Sequence, residues 1–189
     1  AEGRKLTAFK ERAAVDGLAI SPDGRFLATA GADSVARLRA LAGGKLVHEL
    51  PGHKAPVTGV AFTPDGTILA TSSIDDTVRL WDVSTGAPGP VIHAHFARVN
   101  AISFSADGRW LVSAGPSTAG LFRMPSGRFL TYLHGHGAPL VGATFVADDR
   151  TIVTASRDGS VRTARCDVCG TLPELLQLAD RRLAASVER

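Results

Sequence analysis

The chain has 189 residues, with 21 lysines and arginines against 18 acidic residues, a formal net charge of +3. That weak bias, with no block of like charges, gives no support for a nucleic-acid groove or an anionic membrane surface as the main partner. Apolar residues make up 44% of the chain, enough for a folded core, and no apolar run approaches the roughly 18 residues of a membrane span. Two cysteines cannot staple a disulfide framework, so a reducing cytoplasm is the expected compartment.

In chain order, Gly3 to Phe9 align with Gly127 to Leu133 and predict an outer strand, so the sequence starts in mid-repeat. Ser21-Pro22-Asp23-Gly24 then returns as Thr63-Pro64-Asp65-Gly66 and as Ser105-Ala106-Asp107-Gly108, with a worn copy at Val146-Ala147-Asp148-Asp149. Residues 22, 64, 106 and 147 are thus spaced by 42, 42 and 41. Each turn lies between two alternating apolar runs, such as Gly59-Val60-Ala61-Phe62 and Ile68-Leu69-Ala70-Thr71. Two such runs about an Asp-Gly turn read as a β-hairpin. Each period leaves room for two more strands, in the second copy Val78 to Val83 and Pro90 to Ile92. Four strands in about 42 residues make a propeller blade, which must stack on its neighbours to bury both faces. The expected division is 1–9 outer strand of a preceding or closing blade, 10–50, 51–92, 93–133 and 134–166 blades, and 167–189 a Cys-x-x-Cys turn and helix. The fold class is all-β, with about four four-stranded antiparallel blades.

The second copy, with Gly52-His53, Val57, Thr63-Pro64-Asp65-Gly66, Asp75 and Trp81-Asp82, closely resembles a WD-repeat. The resemblance covers roughly residues 3–166. It implies a structural tetrad of His53, Thr71, Asp75 and Trp81, a closed network of buried polar groups. The third copy keeps His95 and Ser113 but has Phe122 in the tryptophan slot and Pro116-Ser117 at the aspartate turn. The fourth keeps His136, Thr154 and Asp158, with Ala164 for tryptophan. The first keeps Thr29 and Asp33, but Glu11 replaces the histidine and Arg39 the tryptophan; the decay is expected to weaken all three of these blades. A start in mid-repeat favours a fragment of a larger propeller over a four-bladed ring or half of an eight-bladed ring made by two chains.

His93-Ala94-His95 and His134-Gly135-His136 read alone as metal-ligand pairs. However, His95 and His136 fall in a structural slot, and neither pair has a carboxylate or cysteine at ligand spacing. Cys166-Asp167-Val168-Cys169 is a sharper motif, half of a zinc site or a redox pair, but no second Cys-x-x-Cys completes four zinc ligands. The expected reading is a turn of small, half-buried thiols; redox or zinc chemistry through Cys166 and Cys169 is the alternative. Thr171 and Glu174 form a capping box, and Leu172, Leu175, Leu176, Ala179, Leu183 and Val187 follow helical spacing. No phosphate loop, nucleophile elbow or His-Glu-x-x-His segment occurs, so no active site and no cofactor are expected.

The function these features predict is non-catalytic display, with rigid blades presenting loops to protein partners. One set of loops carries Lys54, Phe96 and Arg98, the other Ile74, Asp76, Ser117 and Arg157. Exposed aromatic and arginine residues anchor interfaces, which puts Phe96 and Arg98 first. The Cys-x-x-Cys-Gly and leucine-rich tail resemble the carboxy ends of large actinobacterial signalling proteins. The 21 basic residues include only 4 lysines, which reads as the coding bias of a GC-rich bacterial genome. The expected partners are therefore other proteins, upstream domains of the same polypeptide or a second copy of the chain.

Overall fold

The computed structural model describes residues 8–167 and 169. Its fifteen strands form four separate antiparallel sheets, each with its strands in chain order. Blade 1 holds β1 (Val15–Ile20), β2 (Phe26–Gly31), β3 (Val35–Ala40) and β4 (Leu46–Pro51). Blade 2 holds β5 (Val57–Phe62), β6 (Ile68–Ser73), β7 (Thr77–Asp82) and β8 (Pro88–His93). Blade 3 holds β9 (Ala101–Phe104), β10 (Trp110–Ala114), β11 (Ala119–Arg123) and β12 (Arg128–Leu133), and blade 4 holds β13 (Leu140–Phe145), β14 (Thr151–Ser156) and β15 (Val161–Arg165).

The hairpins form where the turn chemistry demands them. Gly66 lies at φ 72°, a left-handed position that glycine occupies without Cβ strain. Asp65 completes the turn, its Oδ1 accepting from the Thr63 hydroxyl at 2.6 Å and the Thr67 amide at 3.0 Å. Asp149 takes the same left-handed conformation in the worn fourth copy, with φ 52°. Its carboxylate accepts from the amides of Ala106 and Asp107 in the neighbouring blade, at 2.5 and 3.0 Å. The lost glycine is thereby replaced by a tie between blades.

Alternation along each strand sends one set of side chains to the preceding blade and the other to the next. Blade 2 shows both. Val60, Leu69, Trp81 and Val83 pack with Ala28, Ala30, Ala36, Leu38 and Leu50 of blade 1. Ala70, Val78, Leu80 and Ile92 pack with Leu111, Phe122 and Met124 of blade 3. Trp110, Val112, Ala114, Ala119 and Leu121 of blade 3 pack in turn with Leu140, Ala143 and Ile152 of blade 4. Each large side chain buried this way contributes about 1.5–3 kcal/mol, and the stability lies in the joints. We call the face toward the preceding blade leading and the other trailing. Four blades make three cores, in the order 1–2, 2–3 and 3–4.

Two expectations fall at the ends of the chain. The predicted outer strand at 1–9 lies mostly outside the described residues; Phe9 is described and does not lie in a strand. Its ring stacks over the Arg39 guanidinium of blade 1 at 4.7 Å and fills the space a Cβ on Gly44 would need. The predicted helix at 171–187, including the Thr171 and Glu174 cap, lies outside the described residues altogether. Among the described residues blade 4 has three strands rather than four.

Candidate functional site

Blade 2 closes the full polar network. The Trp81 Nε1–H donates to Thr71 Oγ1 at 3.0 Å, and Thr71 Oγ1 lies 2.8 Å from His53 Nε2. His53 Nδ1 lies 2.9 Å from Asp75 Oδ2. One assignment satisfies every atom: tryptophan donates to threonine, threonine to the imidazole, and the Nδ1–H to the carboxylate. Burial pushes the His53 imidazole below its ordinary value, Asp75 pulling back only in part. The ring is neutral at pH 7. Burial also opposes ionisation of Asp75, but hydrogen bonds from Thr77, the Lys54 amide and His53 outweigh it and hold the carboxyl at about 2.

The other blades solve the same problem differently. In blade 4, His136 keeps Thr154 at 2.8 Å and Asp158 at 3.0 Å, while Ala164 leaves the tryptophan corner empty of a donor. Blade 3 keeps only the His95–Ser113 contact at 2.8 Å, and Phe122 fills the indole's volume without its N–H. Gly115 is required there, because a Cβ would overlap the His95 ring. Blade 1 corrects the expectation of simple decay. Arg39 donates to Glu11 through Nε at 2.8 Å and Nη2 at 3.0 Å, and Thr29 donates to the same carboxylate at 3.2 Å. Arg37 makes a two-pronged bond to Asp33, at 2.6 and 3.1 Å. Histidine and tryptophan have been exchanged together for a charge-assisted pair, which keeps the buried polar atoms matched. The Arg39 bond lowers the Glu11 carboxyl below its ordinary value, against its burial.

These networks hold loops, and the loops frame a cleft of about 350 Å3. Asp16, Thr58, Asn100 and Val141 line it, three from the start of an inner strand and Asn100 from just before β9. They occupy one repeat position, which brings the four together along this cleft. Ile74 and Arg157, equivalent to each other in blades 2 and 4, close one side, and Arg98 joins them from the loop between blades 2 and 3. Thr58 donates to the Val99 carbonyl at 2.5 Å and Asn100 to the Leu140 carbonyl at 2.7 Å, which ties adjacent blades beneath the cleft. The Arg98 and Arg157 side chains are exposed and make no ion pair among the described residues.

Of the residues predicted to meet partners, the structure brings Ile74, Arg98 and Arg157 together in this cleft. Lys54 and Phe96 are not among its lining. Lys54 contributes its amide to Asp75 at 2.8 Å, and Phe96 is 97% exposed beside the buried His95. Sequence reading missed Asp16, Thr58, Asn100 and Val141. The available signal was one repeat position occupied by four chemically different residues, where a packing position would carry similar ones.

Cys166 and Cys169 require a correction. They are joined as a disulfide, and both are buried in the core between blades 3 and 4, not half-buried free thiols. Cys166 sits at the repeat position of Val83 and Met124, so it fills an apolar seat. Oxidised sulfurs are poor metal ligands, since zinc binds thiolate.

A model of the WD domain, G-beta repeat, matches residues 3–38, 44–82, 86–120 and 127–163. The chain belongs to the WD40 family. This WD40 chain superposes on the crystal structure of the computationally designed Ika4 protein with a TM-score of 0.76 and 23% identity. The match covers 87% of this chain and 99% of that one, and at this identity it shows the shared fold alone. No curated protein matches the chain in sequence. WD40 repeats are in general protein-interaction scaffolds, most of them non-catalytic, and the repeats here imply a scaffold of that kind.

Proposed function

We propose that the central cleft is the surface on which this WD40 arc receives a protein segment, with Arg98 and Arg157 taking carboxylates and Ile74 an apolar side chain. The single observation carrying the reading is the convergence on one cleft of two exposed arginines, neither in an ion pair among the described residues, although Asp16 also lines it. Arginine's planar fork matches a carboxylate bidentately and is pre-organised, so less entropy is lost per hydrogen bond formed. Phe96, exposed outside the cleft, and Lys54 extend the surface for a longer partner. In this proposal the arc is the sensor or regulatory part of a larger bacterial signalling protein of the cytoplasm. Its partners then include upstream domains of the same polypeptide or a second copy.

An unbiased peptide array, followed by anisotropy titration of the best binders, tests the cleft. Acidic peptides with one aliphatic or aromatic residue should bind, and Arg98→Ala with Arg157→Ala should weaken them at least about tenfold, as expected for lost charge-assisted anchors. Binders indifferent to both substitutions would refute the assignment.

A further inference from the structure

The cleft carries an acid as well as its two arginines. Asp16, Arg98 and Arg157 are the charged residues of its lining, all three are exposed, and none forms an ion pair among the described residues. They follow one another along the arc in a fixed order. Blade 1 packs on blade 2, blade 2 on blade 3 and blade 3 on blade 4. Asp16, near the start of β1, and Arg157, just after β14, therefore come from the first and last blades that line the cleft. Ile74 of blade 2 and Arg98 of the loop between blades 2 and 3 lie in the interval. From blade 1 onward the lining reads anion, apolar, cation, cation.

Resting on the function proposed above, we infer that Asp16 gives the cleft a polarity. The segment that fits carries a lysine or arginine on the Asp16 side, an apolar residue at Ile74, and its acidic residues toward Arg98 and Arg157. A segment laid the other way sets carboxylates against Asp16 and a cation against the arginines, and such like-charge contacts reject it. The floor adds no competing charge, because Thr58 and Asn100 are neutral and give their hydrogen bonds to the Val99 and Leu140 carbonyls. Ile74, 40% exposed, offers the apolar contact between the charged groups. Nor does the fold ask for an acid at residue 16. Thr58, Asn100 and Val141 fill the same repeat position in the other blades, and none is charged.

An NMR titration of the full chain with blocked tetrapeptides tests it. The probes are Lys-Leu-Glu-Glu, Ala-Leu-Glu-Glu and Glu-Leu-Glu-Glu, each also in reversed order because the charges fix no chain direction. In the favoured order the lysine peptide should bind about two- to fivefold more tightly than the alanine one, the range of an exposed ion pair, and the glutamate peptide less tightly. Asp16→Ala should remove the lysine advantage while the alanine peptide still depends on Arg98 and Arg157, and Asp16→Lys should put the glutamate peptide first. Residue 16 is exposed, so both variants should fold, which the dispersion of their spectra checks. A lysine advantage that is absent from the unaltered chain in both orders, or that survives Asp16→Ala, overturns the inference. The proposed function stands in that case as long as the alanine peptide needs the two arginines. Peptides that bind without shifting the cleft resonances, or that do not bind, overturn both.

Discussion

Replacing Glu11 by alanine removes the anion on which Arg39 depends. The Glu11 side chain is 6% exposed, and Arg39 makes two of its three hydrogen bonds to it, keeping only Nη1 to the Gly44 carbonyl at 3.1 Å. Arg37 loses a weaker contact to Glu11 at 3.6 Å but retains Asp33. Breaking one side of a buried pair costs about 3–5 kcal/mol, and the retained Gly44 bond with the Phe9 stack puts this case near about 3. Replacing both partners, Glu11→Ala with Arg39→Leu, leaves no stranded charge and should cost about 1 kcal/mol, about 2 kcal/mol less than Glu11→Ala alone. Urea unfolding followed by Trp81 fluorescence reads this directly, because Trp81 packs in the joint with blade 1. A Trp110→Phe background isolates the signal; no hydrogen bond is lost, and the cost is the ring volume removed from the core with blade 4, common to every variant compared. Additive effects of the two substitutions, or a Glu11→Ala cost below about 1 kcal/mol, would show that the pair does not substitute for the His–Trp arrangement.

Three further outcomes are expected. Stability should fall with acid in two stages. Since the folded value of His53 lies below its ordinary 6.5, protons favour the unfolded chain as pH drops below that value. Asp75, held at about 2 against 3.8, then gives up about 2 kcal/mol between those pH values; thermal midpoints across pH 7 to 2 check both, with Asp75→Asn shrinking the second stage, to which Asp82 and Asp148, also held at about 2, contribute. Trp81→Phe should cost about 1–2 kcal/mol in urea unfolding followed by circular dichroism, since Phe122 already shows a benzyl ring in that slot of blade 3 and the main loss is the N–H to Thr71. Gly115→Ala should cost more than a usual surface change, about 1–3 kcal/mol, by displacing the His95 ring, and Gly137→Ala, with open space at its Cβ, should be nearly neutral.

Much of the fold was legible because it repeats. Ser-Pro-Asp-Gly and its copies fix hairpins through local chemistry, a left-handed glycine and an aspartate bonded to its own turn, and such signals need no tertiary context. Apolar residues on both strand faces announce stacking. The tetrad in blade 2 was legible for the same reason, each member being marked by its spacing. The exchange of His and Trp for Glu11 and Arg39 read as decay, because two positions 28 residues apart become a pair only once β3 lies beside the loop before β1. The cleft was half legible. Ile74, Arg98 and Arg157 stood out as loop residues, but Thr58 and Asn100 look like ordinary strand residues until the inner strands converge.

The Cys166–Cys169 pair shows the same division at its sharpest. A Cys-x-x-Cys spacing permits a free dithiol, half a metal site or a short disulfide loop, and neighbouring residues do not decide among them. Placement does, since the pair fills the seat that valine and methionine take in earlier blades. What the chain order alone determined was the period, the hairpins, the polar slots and the alternation that makes each blade two-faced, all set by interactions within a few residues. The radial assembly decided which faces pack together, which charges find partners and which side chains line one cleft, because those depend on contacts between residues a full period or more apart.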